Sequence, residues 1–358
     1  MKIAALQYLR GLAALLVVVA HNSSLLKESW VSHIPGGLGV DIFFVISGFI
    51  MTFITYHSAE SPGLFIIKRF FRIWPVFVVF WLLSYLLVYP ERTLQHMACS
   101  LYLCLQDYSL PAPTFGYSAL GPPWTLTYEV MFYLTFALSM SISYRYRSYV
   151  CALFFLAASV ACQLYYNGHF DFSSQASPDV IVTHWWQAWI KLASNTITFE
   201  FIAGMILAEL ALTQKLPTLT PLSRNLVLLI LLLTIAAAGL IGPQPLGVSG
   251  GFWVALSIMT TVILLSYRHQ APANRTLLFL GDISYSLYLV HYSLMVFVAQ
   301  RLAEDASSTQ RLGMFTLSIS ASIVLAAAMF KWIEKPSIKV GKAVAGALLK
   351  RRAVPGAT

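Results

Sequence analysis

Charge is what this sequence lacks. Asp, Glu, Lys and Arg make up 10% of its 358 residues, against about 25% in a soluble globular chain. So few charges do not cover a water-facing surface, which excludes the two soluble domains that length alone suggests. Acidic residues are scarcer still, 14 against 23 basic ones. Cysteine is confined to Cys99, Cys104, Cys151 and Cys162, with no CxxC pair or zinc-type spacing. Their apolar surroundings read as small core residues, and neither a disulfide nor a metal is implied. The chain has no internal repeat, no low-complexity tract and no stretch with a soluble domain's composition.

What fills the chain is apolar: 58% hydrophobic residues and a mean hydropathy of +0.72. This predicts an integral membrane protein, all-α, folded as a polytopic helix bundle. The net charge of +9 does not point to nucleic acid, because the basic residues sit in short clusters between apolar segments. Candidate spans lie near 4–26, 37–57, 71–89, 124–142, 148–166, 195–213, 225–242, 247–267, 276–300 and 312–333, ten in all. The first resembles a signal peptide, with Lys2 and Arg10 before GLAALLVVVA. So many apolar segments follow that an uncleaved span is expected. The stretch 93–106, TLQHMACSLYLCLQ, is shorter and more polar, and reads as a re-entrant or interfacial helix.

Cations set the orientation. With ten spans and both termini cytoplasmic, 17 of the 23 Lys and Arg fall inside and 5 outside, as the positive-inside rule requires. An eleventh span would scramble that asymmetry. Residues 1–335 then form the membrane domain, and 336–358 a basic cytoplasmic tail. Its KVGKAVAGALLKRRAV has the pattern of an amphipathic helix on the inner leaflet. Long outer loops are expected at 90–123 and 167–194. The paired aromatics of HWWQAW in the second suit an interfacial belt or a sugar-stacking surface.

Several polar groups stand inside the apolar segments. Arg10 and His21 are 11 positions apart, about three helical turns, so they share a face and are separated by roughly 16 Å along the axis. Ionisable groups in a span face the bundle interior and are functional by default. Asp41, Glu129 and Glu200 are buried carboxylates in need of partners. His21 is a plausible partner for Asp41 or Glu129, and a histidine so held can act as general base on a hydroxyl. Arg69 and Arg72, in KRFFRIWP, share a helix face. They read as positive-inside anchors or as a phosphate clamp. In LGDISYSLYLVHYSLM, Ser284, Ser286, Tyr288 and His291 are candidate cavity-lining groups. Ser284, Tyr288 and His291 share one face, whereas Tyr285 and His291 do not.

Taken in order, LQYLRGLAALLVVVAH, GGLGVDIFFVISGFIM, KRFFRIWP, GPPWTLTYEVMFY, LGDISYSLYLVHYSL and IEKP resemble the membrane-bound acyltransferase 3 family over nearly the whole chain. The opening is most similar to the exopolysaccharide O-acetyltransferase branch. The resemblance implies a bacterial inner-membrane enzyme that moves acyl groups, usually acetyl, from cytosolic acyl-CoA to extracytoplasmic carbohydrate. It implies Arg10 and His21 as the essential pair, Arg69 and Arg72 as the motif meeting acetyl-CoA, and Glu129 as the acid after the tryptophan motif. Asp41 is a further catalytic candidate, while Trp124, Ser284, Tyr288 and His291 are assigned to the acceptor. Acetyl-CoA is expected as a substrate, with no resident cofactor. No esterase-like domain is apparent, so direct action on the acceptor is expected. The rival readings are a transporter or flippase and a structural subunit of an export machine. A transporter calls for broken helices and inverted halves. Gly36–Gly39 is the best candidate break, and it has no repeat partner.

Overall fold

The computed structural model describes residues 4–27, 29–56, 60–266 and 273–353. These contain no strand, only an isolated bridge between Ser118 and Gly121. The α-helices are α1 (Ala4–Asn22), α2 (Gly36–Tyr56), α3 (Pro62–Leu87), α4 (Leu94–Leu101), α5 (Trp124–Ile142), α6 (Arg147–Asn167), α7 (Trp185–Ala193), α8 (Thr198–Leu212), α9 (Pro221–Ile241), α10 (Gly251–Ser266), α11 (Arg275–Ala299), α12 (Ser308–Met329) and α13 (Lys335–Ala353). Each of the ten expected spans overlaps one of them. Among the described residues, seven helical stretches are long and apolar enough to cross a membrane, or eight if α7 and α8, bent by 55° at their junction, form one. The 16-residue α10 reaches only about 24 Å, against a hydrocarbon core of about 30 Å. With eight residues, α4 is far too short to cross.

Helix ends follow local chemistry. Asn274 Oδ1 accepts from Leu277 N at 3.0 Å to start α11. Ser307 and Gln310 cap each other reciprocally at the start of α12. Gly36–Gly39, the candidate break, instead forms the first turn of a continuous α2.

Two glycine pairs bring the central helices together. A Cβ on Gly11 of α1 would sit 2.8 Å from Gly281 N, and one on Gly281 of α11 2.3 Å from Gln7 O. A Cβ on Gly48 of α2 would meet Phe201 O at 2.1 Å, and one on Gly204 of α8 would meet Val45 O at 2.0 Å. Small residues at such crossings let backbones touch and gain dispersion contacts that lipid cannot supply. Replacing Gly204 by valine is expected to destabilise the fold by about 1–3 kcal/mol. The measurement is the melting temperature of the detergent-purified protein, and an unchanged value would contradict this packing. An aromatic core lies beside the crossing, where Phe201 stacks on Phe132 at 4.4 Å and meets Phe44 at 4.8 Å.

The basic tail is docked. Through a π turn, Phe330–Glu334, α12 runs on into α13. Pro75 lies inside α3 and has no N–H for Phe71 O four residues earlier. Ser337 of α13 donates to that carbonyl instead. Gly341 follows one turn later, where a Cβ would come 2.6 Å from Phe71 Cβ. One expectation changes: Cys99 is exposed, and only Cys151 of the four cysteines is buried. Trp185, Trp186 and Trp189 are exposed, as a belt or a stacking surface requires.

Candidate active site

Arg10 and His21 open onto different cavities. The first, about 1100 Å³ including its mouth, is lined by Arg10 from α1, Arg69 and Arg72 from α3, Glu129 and Tyr133 from α5, and Ser284 and Tyr288 from α11. The second, about 1010 Å³, is lined by His21, Tyr89, Arg92, Gln106, Tyr117, Trp124, Tyr288 and Tyr292 among others. We call them the arginine and histidine cavities. Val40 and Tyr288 line both. These two side chains thus form part of the septum between them. Tyr288 is fixed there, donating to Pro122 O at 2.9 Å and accepting from Thr125 Oγ1 at 2.9 Å. Phe43 meets its ring edge-on at 5.9 Å.

The arginine cavity is electropositive. Among the described residues, Arg10, Arg69 and Arg72 form no ion pair. Arg10 Nη1 donates to Gln7 Oε1 at 3.2 Å. Arg69 lies over the rings of Phe65 and Tyr133, 5.7 and 5.9 Å from their centroids. Glu129, the one carboxylate in the lining, accepts from the Tyr133 hydroxyl. Glu334, the last residue of the π turn, is 1% exposed. It accepts from Ser286 Oγ at 2.6 Å and lies near enough to Arg72 and Arg10 to attract both. Three guanidiniums therefore face two carboxylates, leaving a surplus positive charge where an anion would be stabilised.

His21 is held by a second imidazole. His291 Nδ1 lies 3.2 Å from Leu287 O, so it carries the hydrogen and donates. Neutral His291 then presents a lone pair at Nε2, 3.3 Å from His21 Nδ1. His21 Nδ1 also lies 3.0 Å from Val17 O. One hydrogen on His21 Nδ1 forks between these two acceptors, which leaves His21 Nε2 unprotonated on the far edge of the ring. Tyr292 packs its ring edge-on against His21 at 5.4 Å. This is the arrangement of a base whose tautomer is set from behind.

The expected partners of His21 lie elsewhere. Glu129 faces the arginine cavity. Asp41 is one residue, or about 100° of helix, on from Val40, so it points away from both cavities. Its Oδ1 accepts from Gly247 N at 3.0 Å, and a Cβ on Gly251 would come 2.0 Å from its Oδ2. Glu200 is its neighbour, fully buried like Asp41. His291 lines neither cavity and lies behind His21. Trp124 lines the histidine cavity, and Ser284 the arginine cavity, its hydroxyl donating to Gly281 O at 2.8 Å. The exposed tryptophans of α7 reach neither cavity. Tyr133, Glu334, Arg92 and Tyr292 were not expected. Glu334 lies in the IEKP motif, the one signal that marked it in advance.

Comparison with known proteins agrees with a transferase. Residues 3–331 match the acyltransferase domain of the Acyl_transf_3 family. The exopolysaccharide production protein ExoZ of Rhizobium meliloti (strain 1021) is 29% identical over 324 residues, 86% of this chain and 91% of that one. Acyltransferase MdmB of Streptomyces mycarofaciens is 24% identical over 331 residues, 85% of this chain and 81% of that one. A Staphylococcus aureus (strain COL) protein named, by inference, as an O-acetyltransferase is 25% identical over 373 residues, 93% of this chain and 57% of that longer one. No solved structure matches the chain. With the match running over nearly its whole length, the chain belongs to the acyltransferase 3 family and is a multi-pass membrane acyltransferase.

Proposed function

We propose that the protein transfers an acyl group, acetyl by preference, from cytosolic acyl-CoA to a hydroxyl of a cell-surface or exported carbohydrate. The setting is the bacterial cytoplasmic membrane, with both chain termini inside. The observation that carries this reading is the pair of cavities meeting at Tyr288, one electropositive and one holding an unprotonated imidazole nitrogen. Each suits one substrate of an acyl transfer across a membrane.

In this reading the arginine cavity opens to the cytoplasm. Arg10, Arg69 and Arg72 hold the phosphates of the donor, and its flexible arm extends along α1 toward the septum. The axial separation of Arg10 and His21, roughly 16 Å, is the distance the arm covers. The carbohydrate enters the histidine cavity, with Trp124 as an apolar platform. His21 Nε2 takes the proton of the attacking hydroxyl. The hydroxyl oxygen adds to the thioester carbonyl, and the collapsing intermediate breaks the carbon–sulfur bond. The departing thiolate takes the proton back from His21, giving an O-acyl ester and a free thiol. During the step His21 is an imidazolium. Its Nδ1–H stays bonded to Val17 O and His291 Nε2, which stabilise the cation.

Purified protein in nanodiscs with radiolabelled acetyl-CoA and bacterial exopolysaccharide tests the proposal. Label is expected in the polysaccharide, with thiol released only when acceptor is present. Thiol release independent of acceptor, or none at all across acceptors, would overturn it.

A further inference from the structure

We propose that the histidine cavity takes an acidic acceptor, and that Arg92 binds its anionic group, a sugar carboxylate or phosphate. This rests on the acyl-transfer reading for the word acceptor, but the binding site stands on its own geometry. Arg92 follows the end of α3 and lines the cavity. No Asp or Glu lines the same cavity. Among the described residues Arg92 forms no ion pair, and the adjacent Glu91 is exposed and outside the lining. The wall thus carries a positive charge that nothing neutralises.

That charge is also held in place. Arg92 Nη1 donates to Ala119 O, and the guanidinium lies over the Tyr89 ring at 4.4 Å from its centroid. A guanidinium has five N–H donors, so one bond to a carbonyl leaves four for a ligand. A flat group restrained on an aromatic face is pre-organised for the planar fork of a carboxylate or the edge of a phosphate. Gln106, Tyr117 and Tyr292 stand in the same lining and offer neutral polar contacts to sugar hydroxyls. A neutral sugar would leave the half-buried cation uncompensated, whereas an acidic one compensates it.

The test uses the full chain in detergent and three saccharides: a glucuronate-containing oligosaccharide, its carboxyl-reduced counterpart, and a glucosyl phosphate. One or both acidic compounds are expected to bind at least tenfold more tightly than the reduced one, and which of them does names the source of the charge. Arg92→Gln is expected to erase the preference and Arg92→Lys to keep part of it. Raising the salt concentration should shrink the preference in the unaltered protein, a readout that needs no variant to fold. No preference for either acid in the unaltered protein, whether all three bind or none does, overturns the assignment. So does a preference that survives Arg92→Gln. Acyl transfer to the same saccharides is measured separately. Transfer without acidic preference removes the Arg92 assignment alone, and acidic preference without transfer to any acceptor removes the acyl-transfer reading alone.

Discussion

Replacing His21 with glutamine is expected to lower the turnover number for acyl transfer by about 10²–10⁴-fold, the range for a lost general base. Glutamine retains an N–H for Val17 O but has no nitrogen lone pair to take a proton. The KM for acyl-CoA should change little, because His21 does not line the arginine cavity. His291→Phe is the companion variant. It keeps the base but removes the acceptor that lies 3.3 Å from His21 Nδ1, so about a tenfold loss is expected, the worth of one net hydrogen bond of about 1 kcal/mol or slightly more. Initial rates from nanodisc preparations matched for melting temperature give both numbers. Wild-type turnover by a stable His21→Gln protein would remove the base from the mechanism.

The double variant Arg69→Gln, Arg72→Gln should act on the other substrate. Hydrogen bonds to charged groups contribute about 1.5–3 kcal/mol each. Losing two raises the KM for acetyl-CoA by about a hundredfold or more, with a smaller effect on turnover. S-acetylpantetheine lacks the nucleotide phosphates and supplies the control. The unaltered enzyme should use it poorly, and the double variant should use it equally poorly, so the advantage of the CoA thioester disappears. If both donors instead lost the same factor, the arginines would be serving the packing or the acyl chemistry rather than the phosphates. Arg69 is the more exposed to that second outcome, since it also rests on Phe65 and Tyr133.

Composition and apolar run length were enough to place the long apolar helices, because a lipid-facing segment must be both continuous and apolar, but not α7, which lies in what reads as an outer loop. The shared face of Arg10 and His21 followed from helical spacing, and both residues do line cavities. Which helices touch was not legible. Depth alone grouped His21 with Asp41 and Glu129. Adjacency separates them, sending Asp41 to Glu200, Glu129 to Tyr133 and His21 to His291. The reciprocal fit of Gly11 with Gly281, and of Gly48 with Gly204, was the signal that could have given those contacts. Glycine in the middle of an apolar helix is costly unless another backbone needs the space. Likewise Pro75 announced an orphan carbonyl at Phe71 without revealing that Ser337 would reach it.

The sharing of Tyr288 and Val40 by both cavities has an electrical corollary. A voltage of 100 mV across a bilayer is worth about 2.3 kcal/mol for each elementary charge carried through it. If, as proposed, the two cavities open to opposite sides of the membrane and hold water, they conduct better than hydrocarbon, and more of that drop falls on the Tyr288 and Val40 side chains that line both. A proton or thiolate displaced there during turnover would feel a large share of the field. Turnover in sealed vesicles would then track an imposed diffusion potential.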